Sequence, residues 1–325
     1  MKAIVCSKYG SPDKLQWKDA VKPSPKEDEV LIRVHAASMN SYDVRMMRGK
    51  PFFIRFKEGL FKPGNKILGA DIAGVVEACG KNVTDFVIGD AVFGCLADKS
   101  GDAGFAEYAC AAESVLAHKP ESISFEQAAS VPMAAVTALQ GLRDVGHIRS
   151  GMEVLINGAS GGVGTFAVQL AKSFNTKVTG VCSRSNMNMV HSIGADHVID
   201  YTVDDFTQNG KQYDLILDIA ANHTPTEYRR ALKSNGICVV AGFSTMRHLF
   251  KNILFGKRTT KKDGKKIILV MADNSKRQDL LFMNEQLESG KVIPLIDGIY
   301  PLHEAAKAFH YFEKEHAKGK VILSM

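Results

Sequence analysis

With 325 residues, 45% of them hydrophobic, the chain reads as a soluble globular protein long enough for two domains. No run approaches the ~18 apolar residues of a membrane span, and the first ten residues carry no secretory signal pattern. The six cysteines (Cys6, Cys79, Cys95, Cys110, Cys182, Cys238) are scattered without a C-x-x-C pair, which points to reduced thiols in a cytoplasmic compartment and against a zinc module.

Residues 1 to about 120 alternate short apolar strands with turn signals, at Val30–Val34, Ala73–Glu77, Asp90–Gly94 and Phe105–Ala109, and this spacing predicts a compact β domain. Past Pro120 the pattern changes. Ser124 followed by Gln127 is a capping box, expected to open one helix through Leu142. Strands are then predicted near 152–158, 177–182, 196–199, 213–219, 236–242 and 266–271, separated by helical stretches such as Phe166–Phe174, read as amphipathic, and Thr224–Leu232. This is the βαβ rhythm of a parallel sheet.

The first of these strands runs into Asn157-Gly158-Ala159-Ser160-Gly161-Gly162-Val163-Gly164. Such a turn lets backbone N–H groups approach phosphate oxygens, and a helix opening at Gly162 directs its partial positive end at the same charge. Read as G-x-G-x-x-G, the run carries Ala159, Gly161 and Gly164 at the three positions. With a second strand following the helix, it predicts a dinucleotide pyrophosphate site at Ser160, Gly161, Gly162, Val163 and Gly164.

Seven basic residues (Lys251, Lys257, Arg258, Lys261, Lys262, Lys265, Lys266) crowd one segment of a chain whose net charge is +6. It reads as solvated surface, with anion binding left open; without interleaved aromatics, nucleic acid is not expected. Strands at Ile299–Leu302 and Gly319–Leu323 flank a helix over His303–Phe312, and this C-terminal segment is expected to return to the first domain.

Three segments in order, Ala37-Ser38-Met39-Asn40-Ser41-Tyr42-Asp43, Leu68–Val76 and the glycine turn, give the chain an end-to-end resemblance to the medium-chain dehydrogenase/reductase superfamily, in its quinone oxidoreductase-like branch. The resemblance implies an α/β protein: a Rossmann doubly wound parallel sheet over 123–294, plus a GroES-like β-barrel domain over 1–122 closed by 295–325, with the active site between them. It further implies a homodimer formed through the strand near Lys266–Met271. Zinc-dependent members require a thiolate where this chain has Asn40 and a histidine where it has Ala70, and an amide and a methyl do not hold zinc.

Without that Lewis acid, the expected substrates are small molecules that delocalise the added electrons: quinones or C=C bonds conjugated to a carbonyl. They need a proton donor, for which Tyr42 is preferred over Asn40, although a tyrosine there also serves packing alone. Asn40 is expected to touch substrate or cofactor.

The second strand ends Val181-Cys182-Ser183-Arg184 with no carboxylate to take the ribose hydroxyls, whereas Ser183 and Arg184 suit a 2′-phosphate, so NADPH is the predicted cofactor. By resemblance Tyr201 lies by the adenosine phosphate. The loops at Asp218–Ala220 and at Gly242 and Phe243 are expected at the nicotinamide half. Two other readings stay open: an aldehyde or ketone (alcohol) dehydrogenase, and a non-catalytic NADPH-binding sensor or interaction protein. No membrane partner is expected.

Overall fold

The computed structural model describes residues 1–63, 67–97, 103–241, 263–314 and 317–325, the side chains of Lys57 and Glu58 apart. They form two compact units, one of Met1–Val136, Asp273–Gly290 and Pro294–Met325, the other of Thr137–Ala272 and Lys291–Ile293. Residues 123–136 and 273–290 thus pack with the first unit, where the sequence expectation counted them with the second.

In the first unit β1 (Lys2–Cys6) pairs antiparallel with β2 (Leu15–Asp19). A larger sheet is centred on β3 (Glu29–Ser38), whose ten residues pair with β4 (Asp71–Cys79) and β6 (Tyr108–Ala112). Beyond β4 come β5 (Ala91–Cys95) and β7 (Leu116–His118). The C-terminal strand β15 (Lys320–Ser324) pairs antiparallel with the end of β3 and parallel with β14 (Ile296–Pro301), so the last segment does complete the first sheet. The expected strand at Phe105–Ala109 begins later, at Tyr108. The backbones of Phe105 and Ala106 bond Leu68 and the β1 residues Ala3 and Ile4 instead.

Two helices interrupt this β unit, α1 (Ser41–Arg48) and α2 (Ile54–Glu58). α1 starts because Asn40 and Asp43 form a reciprocal capping box, and it stops at Gly49, whose φ of 57° is costly for any other residue. The helix expected from Ser124 through Leu142 is divided. Ser124 and Gln127 cap α3 (Phe125–Ala129), Pro132 restarts the chain as α4 (Pro132–Leu139), and Gln140–Val145 widens into a π-helical turn. Proline lacks the N–H that would continue α3 and disfavours helical backbone before it.

The second unit is a six-stranded parallel sheet in the order β10 (His197–Asp200), β9 (Lys177–Cys182), β8 (Glu153–Asn157), β11 (Tyr213–Asp218), β12 (Leu232–Val240), β13 (Lys266–Leu269). This is the doubly wound order, which reverses direction at β8 and so opens a crevice at its carboxyl end. α5 (Gly162–Ser173) follows β8, α6 (Met187–Ser192) follows β9 and α7 (Pro225–Ala231) precedes β12. α5 is buried continuously from Gly164 to Ala171 rather than amphipathic. The side chain of Gln169, polar in a helix buried all round, is satisfied at the backbone of Ile293, giving and receiving at 3.0 and 2.8 Å.

Helices α8 (Arg277–Glu288) and α9 (Ala305–Lys314) belong to the first unit, where Phe309 of α9 is fully buried against Phe105. Among the described residues, no helix is long and apolar enough to cross a membrane.

Candidate active site and nucleotide cradle

The glycine turn after β8 is built by three distinct constraints. Gly158 takes a φ of 86°, which only glycine adopts freely, so it and not Ala159 carries the sharp turn. The N–H groups of Gly158 and Ala159 donate to Val181 O at 3.1 and 3.0 Å, tying the turn to β9. A Cβ on Gly164 would lie 2.0 Å from Gly158 O, so the first helical turn closes on the strand only with glycine there. A Cβ on Gly161 would meet only Gly158 O, at 3.6 Å, so the backbone at the start of α5 faces open space. The first N–H groups of a helix have no partner inside it, and those of Gly162, Val163 and Gly164 are therefore donors for an anion. The cradle fits a dinucleotide pyrophosphate.

The other residues expected to bind the nucleotide converge beside this turn. Asn186 Nδ2 donates to Ser160 Oγ at 3.2 Å, and Asn186 N to Ser183 O at 2.9 Å, which joins the ends of β8 and β9. Ser183 Oγ lies 3.2 Å from Ser185 Oγ. Tyr201 follows β10, with its N–H on Cys182 O and its side chain 55% exposed. Asp200 accepts from Thr202 N and Oγ1, and these bonds, with the Arg184 charge and backbone beside it, hold its carboxyl below the usual range. Two residues were missed in the sequence: Asn186, a short polar residue after a strand, and Asp200, whose negative charge faces Arg184.

At the carboxyl end of β11, Asp218 is fully buried and accepts from Asn157 Nδ2 (3.0 Å), Ala221 N (2.6 Å) and Tyr228 OH (2.7 Å). Burial raises both the Asp218 carboxyl and the Tyr228 phenol. This knot fixes the backbone of the Asp218–Ala221 loop. Gly242 and Phe243 lie outside the described residues.

In the first unit, Asn40 is held on both ends of its amide. Its Oδ1 accepts from Lys320 Nζ at 2.6 Å, while its Nδ2 donates to Asp71 Oδ2 at 2.9 Å and Ser38 O at 3.3 Å. Lys320 also donates to Met39 O at 3.1 Å and stands 4.0 Å from Asp71, whose carboxylate takes the N–H of Met133 at 3.2 Å. Asn40, Asp71 and Lys320 are 7%, 0% and 2% exposed. Burial pushes the Asp71 carboxyl up and the Lys320 ammonium down, and each opposes the shift of the other.

The arrangement does not fit zinc. The amide oxygen at position 40 faces an ammonium, Ala70 offers a methyl group, and the Asp71 carboxylate is already neutralised. Among the described residues no group of three or more His, Cys, Asp or Glu is placed to hold a metal. The Asn40 amide hydrogens are directed at Asp71 and Ser38 O inside the protein, which leaves Tyr42 as the candidate proton donor. Tyr42, partly buried, packs against the cluster of Ala70, Cys95 and Ala97, of which Ala70 is next in sequence to Asp71, so it stands next to this network. Asp43 accepts the N–H of Asn40 at 2.8 Å as the capping partner of α1. Lys320 gave no sequence signal beyond a lysine in an otherwise apolar strand.

Comparison with known proteins agrees with this architecture. Residues 26–121 match the family described as alcohol dehydrogenase GroES-like domain, and 193–323 that described as zinc-binding dehydrogenase. A chloroplastic NADPH-dependent alkenal/one oxidoreductase of Arabidopsis thaliana is 33% identical over 99% of the chain and 79% of its own length. The mitochondrial NAD(P)H oxidoreductase RTN4IP1 of Bos taurus is 31% identical over 100% of the chain and 89% of its own. The structure of a quinone oxidoreductase from Coxiella burnetii superposes with a TM-score of 0.88 at 30% identity, covering 100% of this chain and 99% of that one. A GroES-like domain joined to a doubly wound nucleotide-binding sheet defines a two-domain oxidoreductase, and the chain belongs to the medium-chain dehydrogenase/reductase superfamily, in its quinone oxidoreductase-like branch.

The buried network yields a stability prediction. Lys320→Met leaves the Asp71 carboxylate and Asn40 Oδ1 uncompensated and is expected to cost about 3–5 kcal/mol by urea unfolding, whereas adding Asp71→Asn should recover most of the loss. A single variant as stable as the wild type contradicts the assigned pairing.

Proposed function

We propose that the protein is an NADPH-dependent, zinc-independent oxidoreductase that reduces quinones or α,β-unsaturated carbonyl compounds. The observation that carries this reading is the lysine ammonium held by Asn40, one of the two positions where zinc-dependent relatives would need ligands, and 4.0 Å from Asp71. Carbonyl reduction to an alcohol concentrates negative charge on one oxygen, which zinc is suited to stabilise. A conjugated acceptor spreads that charge and requires only a hydrogen-bond donor. The acceptors named for the Arabidopsis relative are of this kind.

NADPH supplies the hydride when bound. The N–H groups opening α5 hold its pyrophosphate, and Ser183 and Arg184 hold its 2′-phosphate, with Tyr201 beside the adenosine end. Hydride would add to the β-carbon of an enone, the C=C pair moving to the Cα–carbonyl bond and the carbonyl pair to oxygen; Tyr42 OH would donate its proton to that oxygen, and the enol would then tautomerise to the saturated carbonyl compound. For a quinone, hydride and proton together give the hydroquinone. Asn40 acts by position: Lys320 and Asp71 fix it at the start of α1, one residue before Ser41 and two before Tyr42.

The activity is tested by following NADPH and NADH oxidation across quinones, enones and simple aldehydes after exhaustive chelation. Turnover on the first two classes with NADPH is expected; turnover on aldehydes alone, or binding without turnover, supports the alternative readings. Arg184→Ala should weaken NADPH binding by roughly 1.5–3 kcal/mol and leave NADH nearly unaffected, and equal losses remove Arg184 from the 2′-phosphate. Tyr42→Phe keeps the ring and removes the donor, so kcat should fall on the order of 100-fold with little change in NADPH affinity. Near-full turnover in that variant refutes the assignment.

The same reading includes a homodimer in which β13, an edge strand of the parallel sheet, pairs with its symmetry mate. Light scattering should give twice the chain mass at micromolar concentration, and a monomer mass refutes the pairing.

A further inference from the structure

The segment after α1 exposes an unusual amount of apolar surface. Phe52, Phe53, Phe56, Leu60 and Phe61 are 57, 54, 74, 43 and 89% exposed within ten residues. Isolated exposed apolar side chains are ordinary, but five large ones in one short stretch make a patch of the kind that contacts a partner, a ligand or a membrane. The chain that carries them is tied at three points: Tyr9 OH donates to Gly59 O at 2.8 Å, Arg55 Nε donates to Gly49 O at 3.0 Å, and the Arg55 guanidinium lies 4.6 Å from the centre of the Tyr9 ring.

Beside them is an open hollow of about 770 Å³ whose walls include Lys8, Tyr9, Arg55, Leu60, Phe61 and Lys62. Three of its residues are cationic and, among the described residues, no carboxylate lines it.

We infer that this face docks the protein on an anionic lipid surface, with the phenylalanines entering the headgroup boundary and Lys8, Arg55 and Lys62 meeting lipid phosphates. Charge selects this occupant. A second copy of the chain meeting the same patch across a two-fold axis would bring like charges together, whereas an anionic bilayer complements them. The four phenylalanines, each more than half exposed, offer their rings to a surrounding phase, as insertion requires. The docking is peripheral and needs no membrane-crossing helix, so it replaces the expectation of no membrane partner. It deepens the proposed function, because quinones and alkenals with hydrocarbon tails partition into lipid and a docked reductase takes them there.

The test is co-sedimentation of the full chain with vesicles of phosphatidylcholine alone and of phosphatidylcholine with phosphatidylglycerol. The wild type should pellet with the anionic vesicles at low salt and be released at high salt. Phe53→Ser/Phe56→Ser/Phe61→Ser and, separately, Lys8→Glu/Lys62→Glu should each weaken binding more than about tenfold. If the phenylalanine variant fails to fold by circular dichroism, the charge-reversed variant carries the test.

A wild type that stays in the supernatant, or variants that pellet like it, overturns the inference. So does a phenylalanine variant whose mass by light scattering falls below that of the wild type, since the patch is then a protein interface. Vesicle binding without turnover on any quinone or enone leaves the docking standing and removes the proposed activity; turnover without vesicle binding does the reverse.

Discussion

An ammonium group taken out of water must find fixed acceptors and a counter-charge, and Lys320 finds both: Met39 O, Asn40 Oδ1 and the Asp71 carboxylate. The three side chains come from separate stretches of sequence, so this contact joins the C-terminal strand β15 to the end of β3, to the start of α1 and to β4. It fixes which way the Asn40 amide points and therefore where α1 begins. It also turns the Asn40 amide oxygen toward an ammonium, an arrangement that does not suit a metal ligand. A site arranged this way can offer hydrogen bonds and a defined field, which suits an acceptor that spreads its own charge.

The nucleotide cradle rests on a different constraint, the close approach of backbone to backbone. Gly164 is confined by Gly158 O, and Gly158 by its left-handed backbone, while Gly161 leaves open space before the helix. Asn186 then ties Ser160 to the end of β9, so the residues proposed for the pyrophosphate and those proposed for the ribose end are set by one framework. The Asp200 carboxylate, engaged with Thr202, has the Arg184 charge beside it.

Much of this was legible in the sequence because it depends on local chemistry. The strands of the parallel sheet announce themselves as short apolar runs, and the glycine turn, with Ser183 and Arg184, lies within one βαβ unit. The Ser124 capping box was visible for the same reason, but the effect of Pro132 on that helix was overlooked. α1 was missed although Asn40 and Asp43 are spaced as a cap, because its eight residues are too few to show a period. Lys320 could not be seen at all: its partners lie about 250 and 280 residues away, and nothing local distinguishes a buried lysine from a strand-edge one. The amphipathic reading of α5 failed similarly, since what covers a helix is a tertiary fact.

The central claim is hydride transfer to a conjugated carbon without a metal. It is tested most directly by incubating the chelated protein with an alkenal and NADPH deuterated at the reactive carbon of its nicotinamide, then locating the label in the product by mass spectrometry. The account predicts a saturated aldehyde carrying deuterium at the β-carbon. Deuterium on the carbonyl carbon of an alcohol product, or activity that appears only when zinc is restored, contradicts it.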